Sequence, residues 1–354
     1  MADTNEGWKQ QEREIIHKFF TEKVPKVLDP PTALCTEESC IDFAKTTLQT
    51  DNVIPVNNQG SNSFTLISKS LETVIQFRLS PFRADTLLLA NEIYGDLVPE
   101  VKLHEGFPLP VYSSRVIPGK VHVLQPFPKA QFPLAREKTT VAELGAFVAK
   151  AAFFVQPKPY RDASWTHTAA DTLRRLTKNT SLEILAPDLH KHITTVLQPS
   201  VHLLEKLPAV LTHHDFSQVN ILVDDSGHLT GVIDFDEAGI EAFGMCIWGL
   251  YECFFGMMED GKWSFYNAVA DDGSREAHTI RQVLENTFWE SLWANTPQWL
   301  KQADAEQAVM VSLSVGVINR YFIQGMVDEI DLSKRVHCLS LEYAKGILPQ
   351  VWRI

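Results

Sequence analysis

The stretch that decides the reading is Leu211–Ala238, LTHHDFSQVNILVDDSGHLTGVIDFDEA. Its polar frame places His213, Asp215 and Asn220 on one tight loop. An apolar run, a turn and a second apolar run follow, and the last ends at Asp234. The runs on either side of DDSGH read as two short strands, and Gly227 suits a positive-φ position in the turn. A hairpin of this length brings Asp234, where the second strand ends, back beside Asn220, where the first begins. Three oxygen-bearing side chains are therefore expected at one end of a two-stranded ribbon. Hard cations such as Mg2+ take carboxylate and amide oxygens and leave their remaining positions to water and phosphate. Phosphoryl transfer needs such an ion, together with a carboxylate that orients the attacking hydroxyl and takes its proton. On that chemistry Asp215 is the expected catalytic base. Asn220 and Asp234 are the expected metal ligands, and His213 braces the loop by hydrogen bonding. Asp and Asn are common in turns, so a polar turn with a capped hairpin would contain them too. Six matching positions in order, with the spacing H-x-D-x-x-x-x-N and a second Asp after it, favour the phosphate and metal site.

Composition narrows the setting. The chain has 354 residues, of which 45% are hydrophobic and 21% charged, a globular composition with ample material for a core. That length suggests about two lobes. The net charge of −12 argues against nucleic acid as a partner. The five cysteines include Cys35 and Cys40, which have no second Cys or His pair behind them, a poor zinc pattern. Cys246 and Cys253 lie in an apolar segment and read as core thiols, which fits a reducing compartment. The first twenty residues show no basic stretch followed by an apolar one, and no apolar run approaches membrane-spanning length. A cytoplasmic protein is expected, a monomer or weak homodimer that meets a small-molecule substrate and a nucleotide but no nucleic acid and no membrane.

Residues 1–49 read as an N-terminal helical extension broken by the DPP at 29–31. From 50 to 118 short β-rich runs are punctuated by Gly60 and polar residues, and ADTLLLANEIYGDL has helical spacing. Five antiparallel strands and one helix make a small α+β lobe there. Residues 119–354 are mainly helical. TTVAELGAFVAKAAFFV, from Thr139, begins with a Thr cap. After the opening stretch, helices are expected at 244–258, about 276–294, 303–327 and 333–348.

The segment 207–244, LPAVLTHHDFSQVNILVDDSGHLTGVIDFDEAGIEAFG, resembles the aminoglycoside phosphotransferase and choline kinase-like family, most of all its fungal branch. The tryptophan-bearing MCIWGLYECFFGM that follows, GKWSFYN and FWESLW extend the likeness, which covers roughly residues 50–300. The resemblance implies an α+β, bilobal protein-kinase-like fold with a small five-stranded antiparallel N-lobe and a large, mainly helical C-lobe. It also implies ATP and Mg2+ as cofactors. Carried over by position, Asp215 is the base and Asn220 and Asp234 hold the metal. Asp236 stands where the family often has an acidic or small residue.

In the N-lobe the resemblance puts the nucleotide-covering turn at NNQGSNSFTLI, with Gly60 and Ser61, where a plain hairpin would also fit. It puts Arg78 at the family's phosphate-binding Lys, a substitution that changes the donor geometry. A surface Arg in a salt bridge is the alternative there. Asp85 or Glu92 would be the partner on the next helix. In YSSRVIPG, backbone groups of Ser114, Arg115, Val116 and Ile117 would meet adenine. His214 occupies the middle of the loop, where many relatives have Gly. It either packs or touches the acceptor and tunes the base. Most C-lobe aromatics read as helix core. Trp248 and Tyr251, close behind the metal-binding segment, are the candidates for an acceptor wall, and the aromatic content leans toward a less polar acceptor.

Three functions remain in play. The first is an ATP- and Mg-dependent phosphotransferase that moves the γ-phosphate to a hydroxyl of a small molecule, in a setting of secondary metabolism. The second is a kinase-fold module that holds a ligand without transfer. The third is a biosynthetic enzyme that uses the same metal site on a phosphorylated or diphosphorylated substrate. A protein kinase is least expected, because neither D-F-G nor A-P-E occurs after Asp234.

Overall fold

The computed structural model describes residues 13–28, 35–57, 59–125, 132–157, 164–271, 273 and 277–352. The expected break at 29–31 lies outside the described residues. The chain forms two compact units, residues 1–87 with 99–117, and 88–98 with 118–354.

The first unit is built on five antiparallel strands in the order β1-β2-β3-β5-β4. They are β1 (Ile54–Pro55), β2 (Ser63–Ser68), β3 (Thr73–Arg78), β4 (Val101–His104) and β5 (Val111–Arg115). This is the sheet the sequence predicts. Its apolar face is not covered by strand residues alone. Phe64, Leu66, Ile75, Phe77 and Val111 pack in one core with Phe19, Val24, Cys40 and Ala44 from the helical segments before residue 50. Helix α1 (Glu37–Leu48) starts at a reciprocal cap: Thr36 accepts from the Ser39 N–H, and Ser39 accepts from the Thr36 N–H. Each large side chain removed from water in that core contributes roughly 1.5–3 kcal/mol.

The second unit carries β6 (Lys120–Val121), β7 (Ala209–Thr212), β8 (Ile221–Val223), β9 (Leu229–Val232) and β10 (Gly239–Ala242). They form the antiparallel sheets β6-β8-β9 and β7-β10. Helix α2 (Ala84–Tyr94) is divided between the units. Helix α3 (Leu134–Lys150) begins at Pro133 with no side-chain cap, five residues before the predicted Thr start. Thr139 and Thr140 lie inside it instead, and the Thr140 hydroxyl donates to the Gly227 carbonyl at 2.8 Å. Glu143 on the same helix accepts from the Leu229 N–H at 2.6 Å. Helix α3 thereby holds the β8–β9 hairpin from behind. Gly227, at φ +89, has no room for a side chain: a Cβ there would lie 2.3 Å from the Arg136 carbonyl oxygen.

Helix α4 (Trp165–Leu176) follows, and after β10 comes α5 (Trp248–Cys253). The predicted helix over 244–258 stops at Cys253. Residues Gly256–Phe265 form a hairpin, β11 (Gly256–Glu259) and β12 (Lys262–Phe265), instead. Its turn is Asp260–Gly261 with φ +48 and +75, the backbone that a two-residue turn between twisted strands requires. The helices α6 (Ile280–Asn295), α7 (Ala305–Tyr321) and α8 (Arg335–Val351) replace the predicted 276–294, 303–327 and 333–348. Among the described residues no helix is long and apolar enough to cross a membrane.

Helix α5 crosses the loop after β7 at Gly249. A Cβ there would meet the Phe216 carbonyl oxygen at 1.7 Å and its carbonyl carbon at 2.8 Å. Both are backbone atoms next to Asp215, so no side-chain rotation relieves the clash. Gly249→Ala is expected to lower stability by on the order of 2–3 kcal/mol. A urea titration that shows an unchanged midpoint would refute the close approach.

Candidate active site

Strand β7 delivers the chain into the loop. It pairs with β10, Thr212 opposite Gly239 and Val210 opposite Glu241, and the loop residues follow at once. His213 is buried and acts as a clip. Its Nε2 lies 2.8 Å from the Ile233 carbonyl oxygen, and the Asp215 N–H donates to Nδ1 at 3.2 Å. A carbonyl can only accept, so Nε2 carries the proton and Nδ1 is bare: the ring is neutral. Burial, the largest influence, pushes its pKa below the ordinary 6.5, against the pull of the Ile233 carbonyl and the charges of Asp234 and Asp215.

The sign of the pH effect follows. Above pH 6.5 the ring is neutral both folded and unfolded. As pH falls through 6.5 the unfolded chain takes up the proton first, so stability declines until the lower folded value is passed. An NMR titration is expected to show the His213 ring still as the Nε2–H tautomer where an ordinary histidine is already taking up its proton. A ring that titrates at the ordinary value contradicts the clip.

The predicted site residues fall into two groups. In the second unit the loop and hairpin meet as the sequence reading requires. The Asn220 amide donates from Nδ2 to both the Asp215 carbonyl and Asp215 Oδ2, each at 2.9 Å. With its nitrogen so held, the amide oxygen of Asn220 is turned away from Asp215. The Ile233 N–H donates to the Asn220 carbonyl at 2.9 Å, and Ile221 is opposite Val232, which places Asp234 at the strand end beside Asn220. Asp234 is exposed and sits at φ +66, a left-handed conformation that Asp tolerates at a cost. Asp236 is half-buried two residues on. Among the described residues no three His, Cys, Asp or Glu side chains gather as a metal cage. One amide and one or two carboxylates match instead the sparse oxygen set that suits Mg2+.

His214 packs rather than opening onto the site. It stacks on Trp165 with ring centroids 4.0 Å apart and planes 8° from parallel. Its Nε2 lies 3.2 Å from Glu241 Oε1, an ion-pair distance. Trp248 and Tyr251 do not wall a pocket. Both are fully buried, and a ring with no exposed surface presents none to an acceptor. The Tyr251 hydroxyl donates to Glu285 and accepts from Trp289 Nε1 at 3.4 Å. Trp248 instead lies under the guanidinium of Arg320, whose central carbon stands 4.7 Å from its ring.

The other group lies in the first unit. Gly60 and Ser61 are exposed in the turn before β2. Gln59 clips that turn, its amide donating to the Thr65 carbonyl and its oxygen accepting from the Thr65 N–H, both at 2.8 Å. Arg78 ends β3 and is buried, its guanidinium 4.0 Å over the Phe82 ring, so it is not a surface arginine. Asp85 is exposed on α2, and Glu92, on the part of α2 that belongs to the second unit, is exposed too. Ser114 is aligned with Val74 on one side and Val101 on the other, Arg115 is paired with Thr73, and the Val116 N–H donates to the Glu72 carbonyl at 2.7 Å. Of the backbone expected to meet adenine, the Val116 N–H is thus taken by Glu72.

Two residues that sequence reasoning missed complete the surroundings of Asp215. Arg320, near the end of α7, brings Nη1 to 3.2 Å from Asp215 Oδ1. Glu241 on β10 is 1% exposed. It accepts from the Ser164 hydroxyl at 2.7 Å, the Trp165 N–H at 2.8 Å, and the Thr166 N–H and hydroxyl at 2.7 Å each. Burial works to raise its carboxyl, but His214 and the bonds from Thr166 and Ser164 together outweigh it and hold the pKa below the usual 4.5.

Comparison with known proteins places this segment. No curated protein matches the sequence. Among solved structures, the chain is similar to the streptomycin–ATP complex of APH(2")-IIa at 13% identity and TM-score 0.44, over 86% of this chain and 99% of that one. It is similar to the macrolide 2'-phosphotransferase MphH from Brachybacterium faecium at 13% identity and TM-score 0.49, over 87% and 97%. The ethanolamine kinase of Plasmodium vivax gives 13% identity and TM-score 0.47, over 94% of each chain. Residues 123–260, which hold the loop, the hairpin and α5, match the phosphotransferase enzyme family, so the family resemblance read from the motifs holds for the segment that carries the site.

Proposed function

We propose that the protein transfers the γ-phosphate of ATP to a hydroxyl of a small molecule, with Mg2+ required. The observation that carries this reading is the Asn220 amide nitrogen, fixed by two bonds to Asp215, with Asp234 following the strand paired beside Asn220. That arrangement separates a proton-accepting carboxylate from a metal-binding pair on one short ribbon. Asp215, on a loop clipped by neutral His213, orients the acceptor hydroxyl and takes its proton. The acceptor oxygen bonds to the γ-phosphorus, the bond to the bridging oxygen breaks, and ADP leaves. Asn220 and Asp234, with Asp236 nearby, offer the oxygens for the divalent ion, which when bound neutralises phosphate charge.

Removal of divalent ions with EDTA is expected to abolish ATP turnover, and added Mg2+ to restore it. Turnover that persists in EDTA rejects the metal role. The burial of Arg78 against Phe82 favours one second reading, a module that holds nucleotide without transfer. Mg-ATP should raise thermal stability under either reading, by linkage. Only the first predicts turnover.

A further inference from the structure

Asp215 presents two carboxylate oxygens, and they face different neighbours. Oδ2 accepts from Asn220 at 2.9 Å. Oδ1 has Arg320 Nη1 at 3.2 Å and the Ser217 hydroxyl at 3.4 Å. Oδ1 is the oxygen that faces the Arg320 guanidinium, so a hydroxyl that gives its proton to that oxygen lies against Arg320.

That guanidinium is held from one side and open on another. Trp248 backs it, and the side chain is 37% exposed. The charged groups that face it are Asp215 and Glu252, whose Oε2 is 3.9 Å from Nε. Glu252 is the more distant of the two, and burial pushes its carboxyl up against the pull of Tyr321 and Arg320. When Asp215 turns its oxygen to a hydroxyl, Arg320 gives up part of its main partner while its planar fork of donors stays in place.

We propose that Arg320 selects the acceptor, and that it does so by pairing with a carboxylate carried next to the hydroxyl that Asp215 deprotonates. The favoured acceptor class is a hydroxy acid. A polycation would place its charge against the guanidinium and is disfavoured. The inference rests on the reading of Asp215 as the base and adds the chemistry of the substrate to it.

Three probes that share a benzylic hydroxyl test this: mandelate, mandelamide and 2-amino-1-phenylethanol, which place an anion, a neutral amide and a cation beside it. Binding is measured by ligand-observed NMR titration on the full chain with Mg2+ and a non-hydrolysable ATP analogue. The wild type is expected to bind the acid about tenfold or more tightly than either other probe, the size of a charge-assisted pair. Arg320→Gln should bring the three to within about twofold, and Arg320→Lys, which keeps the charge but not the fork, should retain part of the preference. The proposal is overturned if the acid has no advantage in the wild type, including if none of the three binds, or if its advantage survives in Arg320→Gln. Failure of the base assignment shows elsewhere, as ATP turnover that persists in Asp215→Asn.

Discussion

Asp215→Asn is expected to lower ATP turnover roughly 100- to 10,000-fold, the range for loss of a positioned base. Nucleotide affinity should be retained, because no phosphate or metal contact is assigned to this residue. The substitution preserves shape, and an amide oxygen placed toward Asn220 keeps the 2.9 Å bond. The other half of the side chain becomes an NH2 group facing Arg320, which loses its closest carboxylate. The loss should therefore appear in kcat and kcat/KM together, as for a group that acts only as the bond forms. A variant within about tenfold of wild type would mean that Asp215 takes no proton, and the phosphotransfer reading would fail with it.

The β8–β9 hairpin was legible because its signals are local. Two apolar runs flank a turn with one glycine, and the spacing from Asn220 to Asp234 sets the register. The five-stranded sheet was legible for the same reason. The β11–β12 hairpin was not. MCIWGLYECFFGMM reads as a continuous helical stripe and masks the hairpin closed by the Asp260–Gly261 turn. Thr139 and Thr140 looked like a cap because propensity places Thr at helix starts. The helix begins earlier because Thr140 is needed against Gly227, a contact 87 positions along the chain.

The site shows the same division. His213, Asp215, Asn220 and Asp234 lie within one motif and could be found from spacing. Arg320 is 105 positions beyond Asp215, and its only mark in the sequence is a charge at the end of the apolar VMVSLSVGVINRY. Glu241 sits between Ile240 and Ala242 in a strand, and the residues that bind it come more than 70 positions earlier. No local pattern encodes such a partnership. Aromatic residues misled in the other direction. Trp248 and Tyr251 are near the motif in sequence, but helix α5 turns both into the core.

Glu241 accounts for the second large effect, expected on stability. Its carboxylate closes the start of α4, where the first N–H groups of a helix have no partner within it. It takes the Trp165 and Thr166 N–H groups and two hydroxyls, and sits where a helix favours negative charge. Glu241→Ala leaves those buried donors without an acceptor and is expected to cost about 3–5 kcal/mol. Glu241→Gln keeps one accepting oxygen but turns an NH2 group toward donors, and should cost about 1.5–3 kcal/mol. The pH dependence separates this from simple loss of packing. The folded carboxyl is held below its ordinary 4.5, so its stabilisation is complete above that value and is lost as pH falls through the folded one. Urea midpoints of wild type and Glu241→Gln should therefore converge in acid and stand apart at neutral pH. The Trp165–His214 stack hangs on the same helix start, one residue from Asp215. The variant should for that reason also lose turnover at temperatures where it remains folded. If its stability gap is the same at all pH values, Glu241 is not an ionised anchor, and the orientation of the loop that carries Asp215 must be sought in β7 and His213 alone.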